Sequence, residues 1–144
     1  MSNQTDVVLI KANNQKKAYQ DLSRDFTGIE PPLWLILTAA FLREQGFKVA
    51  VIDAEAENYD AAETVTQAIA TQPLLAAVLV SGTNPSASTM NMPGAGEVLR
   101  EFQRAAPHVP TVISGLHPSA LPELTLRDEA VDFLIQGEGF TTYV

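Results

Sequence analysis

Short apolar runs recur along the chain at residues 6–10, 47–53, 74–80, 110–113 and 131–135, and helical periodicity separates them. Runs that are apolar throughout suit strands covered on both faces. Strands alternating with helices imply right-handed crossovers and a parallel sheet. Five such strands fit an α/β, flavodoxin-like (Rossmann-like) three-layer sandwich with a parallel sheet in the order 2-1-3-4-5. The run 47–53 alternates in polarity, which places it near a sheet edge.

The intervening segments carry helix signals. Pro31-Pro32 can open a helix that stops at Gly46. Leu33, Ile36, Leu37, Ala40 and Phe41 form its stripe, and Trp34, Leu35 and Leu42 widen it. That breadth implies burial against the sheet and against another element such as a partner domain, with Trp34 expected in the core. Asp60 and Glu63 match a capping box, so Glu63 has a structural task rather than a catalytic one. Pro93 is expected to start the next helix, which presents Ala95, Val98, Leu99, Phe102 and Ala105 on one face and stops at Pro107. His108 then lies in solvent beyond its end, and a short helix is expected over 120–127.

Composition narrows the function. At 144 residues the chain is one domain by length. A net charge of −8 from 9 basic and 17 acidic residues argues against nucleic acid as a partner. Cysteine is absent, which removes disulfides, thiolate metal sites and a cysteine nucleophile, and suits a cytoplasmic protein. No run approaches the roughly 20 apolar residues of a membrane span. The P-loop and the G-x-S-x-G elbow are missing, as are acids directly after the first strand. Asp53 ends the second strand as a ribose-binding acid would, but without the glycine-rich turn that role is not assigned. No metal ligand and no catalytic residue is assigned.

In open sheets of this order, ligands bind outside the carboxyl ends of the strands. The unusual connections all fall there: 11–29, 81–89, 114–118 and 136–140. The first is a solvated loop or a binding loop, since such excess length is uncommon in a compact domain. The second is rich in hydroxyl and amide groups that suit a polar ligand or simply a turn and helix start. Gly115 can turn or admit a close approach, and the loop it opens, with His117, is the expected centre of the site.

At Ser81-Gly82-Thr83-Asn84-Pro85-Ser86, Ser114-Gly115-Leu116-His117-Pro118-Ser119 and Gly137-Glu138-Gly139, the chain resembles the N-terminal cobalamin-binding domain of cobalamin-dependent radical S-adenosylmethionine enzymes. That group includes the anaerobic magnesium-protoporphyrin monomethyl ester cyclase. The resemblance runs from Val7 to Phe140. It departs from the family's G-G-x-H-P at Ser114, and from its Asn-Pro-Pro loop at Lys11-Ala12-Asn13-Asn14. It implies a cobalamin-binding domain, truncated before a C-terminal catalytic barrel of the same polypeptide that holds an iron–sulfur cluster and S-adenosylmethionine. The chain alone is then not catalytic, while the intact enzyme performs methyl transfer, rearrangement or ring closure. The nucleotide tail is expected between Ser81-Gly82 and Ser114-Gly115. Asn13, Asn14, Gln15, Thr83, Asn84 and Ser86 would serve the corrin amides. Gly137, Glu138 and Gly139 border the site, with Glu138 capping a final helix, touching the catalytic domain or contacting cofactor.

Methionine-synthase-type proteins carry D-x-H-x-x-G after the first strand, and residues 11–15 contain no histidine. Cobalamin is therefore expected base-off without a protein His ligand, and His117 is expected to bond the tail or its own loop. A bulky residue at Gly82 or Gly115 is expected to block binding with little loss of fold. The alternative is a non-catalytic module of the same fold, holding a flavin or nucleotide or serving regulation.

Overall fold

The structure is a computed structural model, described here for residues 4–15, 28–81, 85–137 and 139–144. The expected site residues Gly82, Thr83, Asn84 and Glu138 lie outside the described residues, as does most of the long first connection. The elements run β1 (Val7–Lys11), α1 (Leu33–Glu44), β2 (Val49–Asp53), α2 (Ala61–Ala70), β3 (Leu75–Val80), α3 (Pro85–Ala105), β4 (Thr111–Gly115), α4 (Leu116–Ala120), α5 (Pro122–Asp128) and β5 (Phe133–Ile135). A 3₁₀ turn at Phe140–Tyr143 follows. The five strands form one parallel sheet in the order β2-β1-β3-β4-β5, as the strand–helix alternation implies.

Alternation along the central strands divides the core. Val8, Ile10, Ala76, Val78 and Ile113 join Val65 of α2 and Val98, Leu99 and Phe102 of α3 on one face. Val7, Leu9, Ala77, Leu79 and Val112 join Leu35, Ala39 and Leu42 of α1 on the other. The capping box at α2 forms as expected: Glu63 N–H donates to Asp60 at 2.8 Å, and Asp60 N–H donates to Glu63 at 2.9 Å.

Three expectations are corrected. In α1 the buried stripe is Leu35, Thr38, Ala39 and Leu42, while Leu33, Trp34, Ile36 and Leu37 are exposed. The helix is apolar nearly all round, so periodicity gave no reliable phase. Residues 114–118 are not a loop, because α4 begins directly after Gly115. Pro93 does not start α3 but lies inside it.

Asn14 bonds to α3 in the turn that holds that proline. Its side-chain amide donates to the Met90 carbonyl, and its oxygen accepts from Gly94 N–H at 3.1 Å. Asn14 is thus inserted where an unbroken helix would bond Gly94 directly to Met90. Gly94 permits this approach, since a Cβ there would fall 2.8 Å from the Asn13 carbonyl oxygen.

Candidate functional site at the carboxyl edge

Beyond the ends of β3 and β4 lies a cavity of about 220 Å³. Leu79 and Val80 of β3, Ser81 just after it, and Ser114 and Gly115 of β4 border it. Trp34 and Thr38 of α1 wall one side, Leu116 and Ser119 of α4 another, and Gly137, Phe140 and Tyr143 close it. The expected residues Ser81, Ser114, Gly115 and Gly137 thus come together around one space.

Gly115 is fixed by the sheet rather than by a ligand. Its φ is +135°, and a Cβ would collide with the Val80 carbonyl, lying 2.8 Å from its carbon. The expectation that a bulky residue here leaves the fold intact is therefore corrected: β3 itself blocks the side chain. Gly139 adopts φ +66°, which starts the turn that carries Phe140 and Tyr143 back over α1. Ser119 holds this segment by accepting from Gly137 N–H at 2.9 Å.

The closing residues form an aromatic group. Phe140 stands 5.9 Å from Trp34 and 6.1 Å from Phe41, between ring centroids, with tilted rings. The Tyr143 hydroxyl is 3.1 Å from Ser114 Oγ. Burial pushes the Tyr143 phenol above its ordinary range, and the Ser114 hydrogen bond pulls in the opposite direction. Sequence reasoning missed Thr38 and Tyr143, reached Phe140 only as the end of the 136–140 connection, and assigned Trp34 to the core. The available signal was topological: right-handed crossovers bring α1 and the segment after β5 to the same face.

His117 is not among the residues around the cavity. Its Nδ1 is 2.9 Å from Thr89 Oγ1, and its backbone N–H donates to Ser88 Oγ at 3.0 Å. Ser88 is fully buried and donates in turn to the Val80 carbonyl, joining β3, α3 and α4. Asn13, Asn14 and Gln15 sit apart from the cavity as well. The Asn13 amide donates to the Tyr59 carbonyl at 3.2 Å, while its oxygen accepts from Gln15 N–H. With Asn14 engaged by α3, both asparagine amides have structural partners. Ser86 is exposed in the first turn of α3. Asp53 pairs with Lys11 at 3.8 Å and accepts from Ala56 N–H. Among the described residues, no group of acidic residues and histidines could hold a metal ion.

A family model for the B12 binding domain matches residues 19–144. The chain belongs to the B12-binding domain family. No curated protein matches it in sequence. Its fold is similar to that of TsrM from Kitasatospora setae, a radical S-adenosylmethionine methyltransferase solved with cobalamin and a [4Fe-4S] cluster bound. The TM-score is 0.71 at 18% identity, over 97% of this chain and 25% of that one. A second TsrM structure, with tryptophan substrate and a SAM analogue bound, gives a TM-score of 0.68 at 19% identity, over 95% of this chain and 24% of that one. The chain thus spans about a quarter of the length of the structures it matches.

The cavity suits the family's ligand. An apolar cavity of about 150 Å³ takes up benzene. A space near 220 Å³, walled by Trp34, Leu79 and Phe140, is of a size for a fused two-ring base. Among the described residues, no helix is long and apolar enough to cross a membrane.

Proposed function

We propose that residues 1–144 hold cobalamin for a longer cobalamin-dependent radical S-adenosylmethionine enzyme, with the nucleotide tail in the cavity between α1 and the ends of β3 and β4. The observation that carries this reading is that cavity's place and lining, in a chain of the B12-binding family. When bound, cobalamin would supply cobalt-centred methyl or radical chemistry for methyl transfer, rearrangement or ring closure. The chain's own residues do the holding. Ser81, Ser114 and Gly115 border the path of the tail, and Trp34, Phe140 and Tyr143 screen its base from water. Gly82, Thr83, Asn84 and Glu138 belong to the same edge by sequence.

The cofactor is base-off in this reading, with no histidine on cobalt, since residues 11–15 carry none and His117 does not line the cavity. The remainder of the enzyme, carrying the iron–sulfur cluster and S-adenosylmethionine, covers the corrin and the apolar outer face of α1. Leu33, Ile36 and Leu37 stand exposed on that face beside Trp34, which suits such a partner domain. The acidic, cysteine-free composition is consistent with a cytoplasmic protein without nucleic acid or membrane partners.

Titration of the whole protein with hydroxocobalamin, followed by absorbance and gel filtration, tests the assignment. Co-elution of the corrinoid is expected. Retention of a flavin or nucleotide with no corrinoid bound would replace the reading with a non-catalytic module. Electron paramagnetic resonance of the cob(II)alamin form tests the ligation. A nitrogen superhyperfine pattern that is lost in His117→Ala would make His117 the ligand.

A further inference from the structure

We infer that the Ser114–Tyr143 hydroxyl pair reads the nucleotide base, so that the domain prefers cobamides whose lower base has an unprotonated ring nitrogen over those with a phenolic tail. The inference rests on the cobalamin reading and adds the chemistry by which one tail is chosen over another.

The argument is one of hydrogen-bond valence. Each hydroxyl carries one proton and two acceptor positions. Thr38 Oγ1 already donates to the Trp34 carbonyl at 2.7 Å, while Ser119 Oγ accepts from Gly137 N–H at 2.9 Å and turns its own proton to the Gly137 carbonyl at 3.5 Å. Ser114 and Tyr143 bond each other at 3.1 Å, which uses one of their two protons. The other has no acceptor among the described residues, and both side chains border the cavity. Ser114 is 8% exposed, and burial dominates the environment of the Tyr143 phenol. A donor beside an otherwise apolar space favours a ligand that brings an acceptor, because a ligand without one leaves the donor unpaired. In the base-off form, the ring nitrogen of a benzimidazole or purine is free to be that acceptor. A cresol-type tail is a flat single ring with no such nitrogen.

The test uses the whole protein and four probes: cobalamin, adeninyl cobamide, p-cresolyl cobamide and tail-less cobinamide. Wild type is expected to bind the two nitrogenous cobamides about tenfold more tightly than the cresolyl form, the scale of one buried hydrogen bond. Tyr143→Phe or Ser114→Ala each leaves one hydroxyl proton, so part of the preference remains. The double variant is expected to lose it, while cresolyl cobamide and cobinamide bind it as they bind wild type, which also reports an intact fold. Equal binding of cobalamin and cresolyl cobamide by wild type overturns the inference and leaves the cobalamin reading standing, whatever the variants do. A preference that survives the double variant does the same. Failure of every corrinoid, cobinamide included, overturns both.

Discussion

On the α2–α3 face of the sheet, Phe102, Leu99 and Val98 are fully or almost fully buried, and the polar side chains have internal partners. Asn14 completes α3, Ser88 links Val80 to His117, and Thr64 donates to the Asp60 carbonyl. Among the described residues, the α1 face is covered by one helix and a 3₁₀ turn, and the cavity is lined by both. There the aromatic rings meet at a tilt, and the Ser114–Tyr143 pair has a proton to offer. A filled face sets stability and an underfilled one receives a ligand. Substitutions on the first should therefore lower stability, and those on the second should alter binding first.

The largest effect is expected at the seam between the faces. Gly115→Val sets a side chain against the Val80 carbonyl at φ +135°. Backbone strain and overpacking together should cost about 4 kcal/mol, read as a lower denaturation midpoint. Near-wild-type stability with only binding lost would move Gly115 from the sheet to the site.

Next comes Asn14→Ala, which leaves Gly94 N–H and the Met90 carbonyl without their partner. About 3 kcal/mol is expected from two unsatisfied backbone groups. Pro93→Ala should recover part of this loss in the double variant, because the helix can then close its own ladder. Strict additivity in the double-mutant cycle would refute the inserted-amide account.

Asn14 also shows where the sequence was silent. Strand order followed from apolar runs and crossover handedness, both local or general rules. Pro93 read as a helix start because nothing in the sequence near it announces that a side chain from 79 residues earlier repairs the ladder. Likewise Ser81, Ser114, Gly115 and Gly137 were legible as polar or glycine positions at strand ends. Trp34, Thr38, Phe140 and Tyr143 depend on the phase of α1 and the path of the chain after β5. An all-apolar helix leaves that phase undetermined, and its buried stripe proved to lie one position away from the expected one at Leu35 and Ala39.

On the underfilled face, Phe140→Ala removes both contacts to Trp34 and Phe41. About 1 kcal/mol of stability should be lost, together with a red shift of the fluorescence of Trp34, the chain's single tryptophan. Corrinoid affinity should fall by a larger factor than this small stability loss suggests, since the cavity loses a wall. A stability loss equal to that of Asn14→Ala would mean that the two faces do not differ as described.

The smallest effect concerns protons. Tyr143 is held above the ordinary phenol range first by burial, with the Ser114 hydrogen bond acting the other way. A raised folded-state value means that Tyr143 contributes stability fully present below the unfolded phenol value. That stability is lost as the pH rises through the higher folded value. Ultraviolet titration of the tyrosines should therefore show one late phase that is absent in Tyr143→Phe, accompanied by a change in Trp34 emission as the turn over the cavity loosens. Ser114→Ala removes the one contribution that lowers the value, so the late phase should move to still higher pH. A shift to lower pH in that variant would show that the Ser114 hydroxyl stabilises the neutral phenol. The Ser114–Tyr143 bond would then favour the protonated pair.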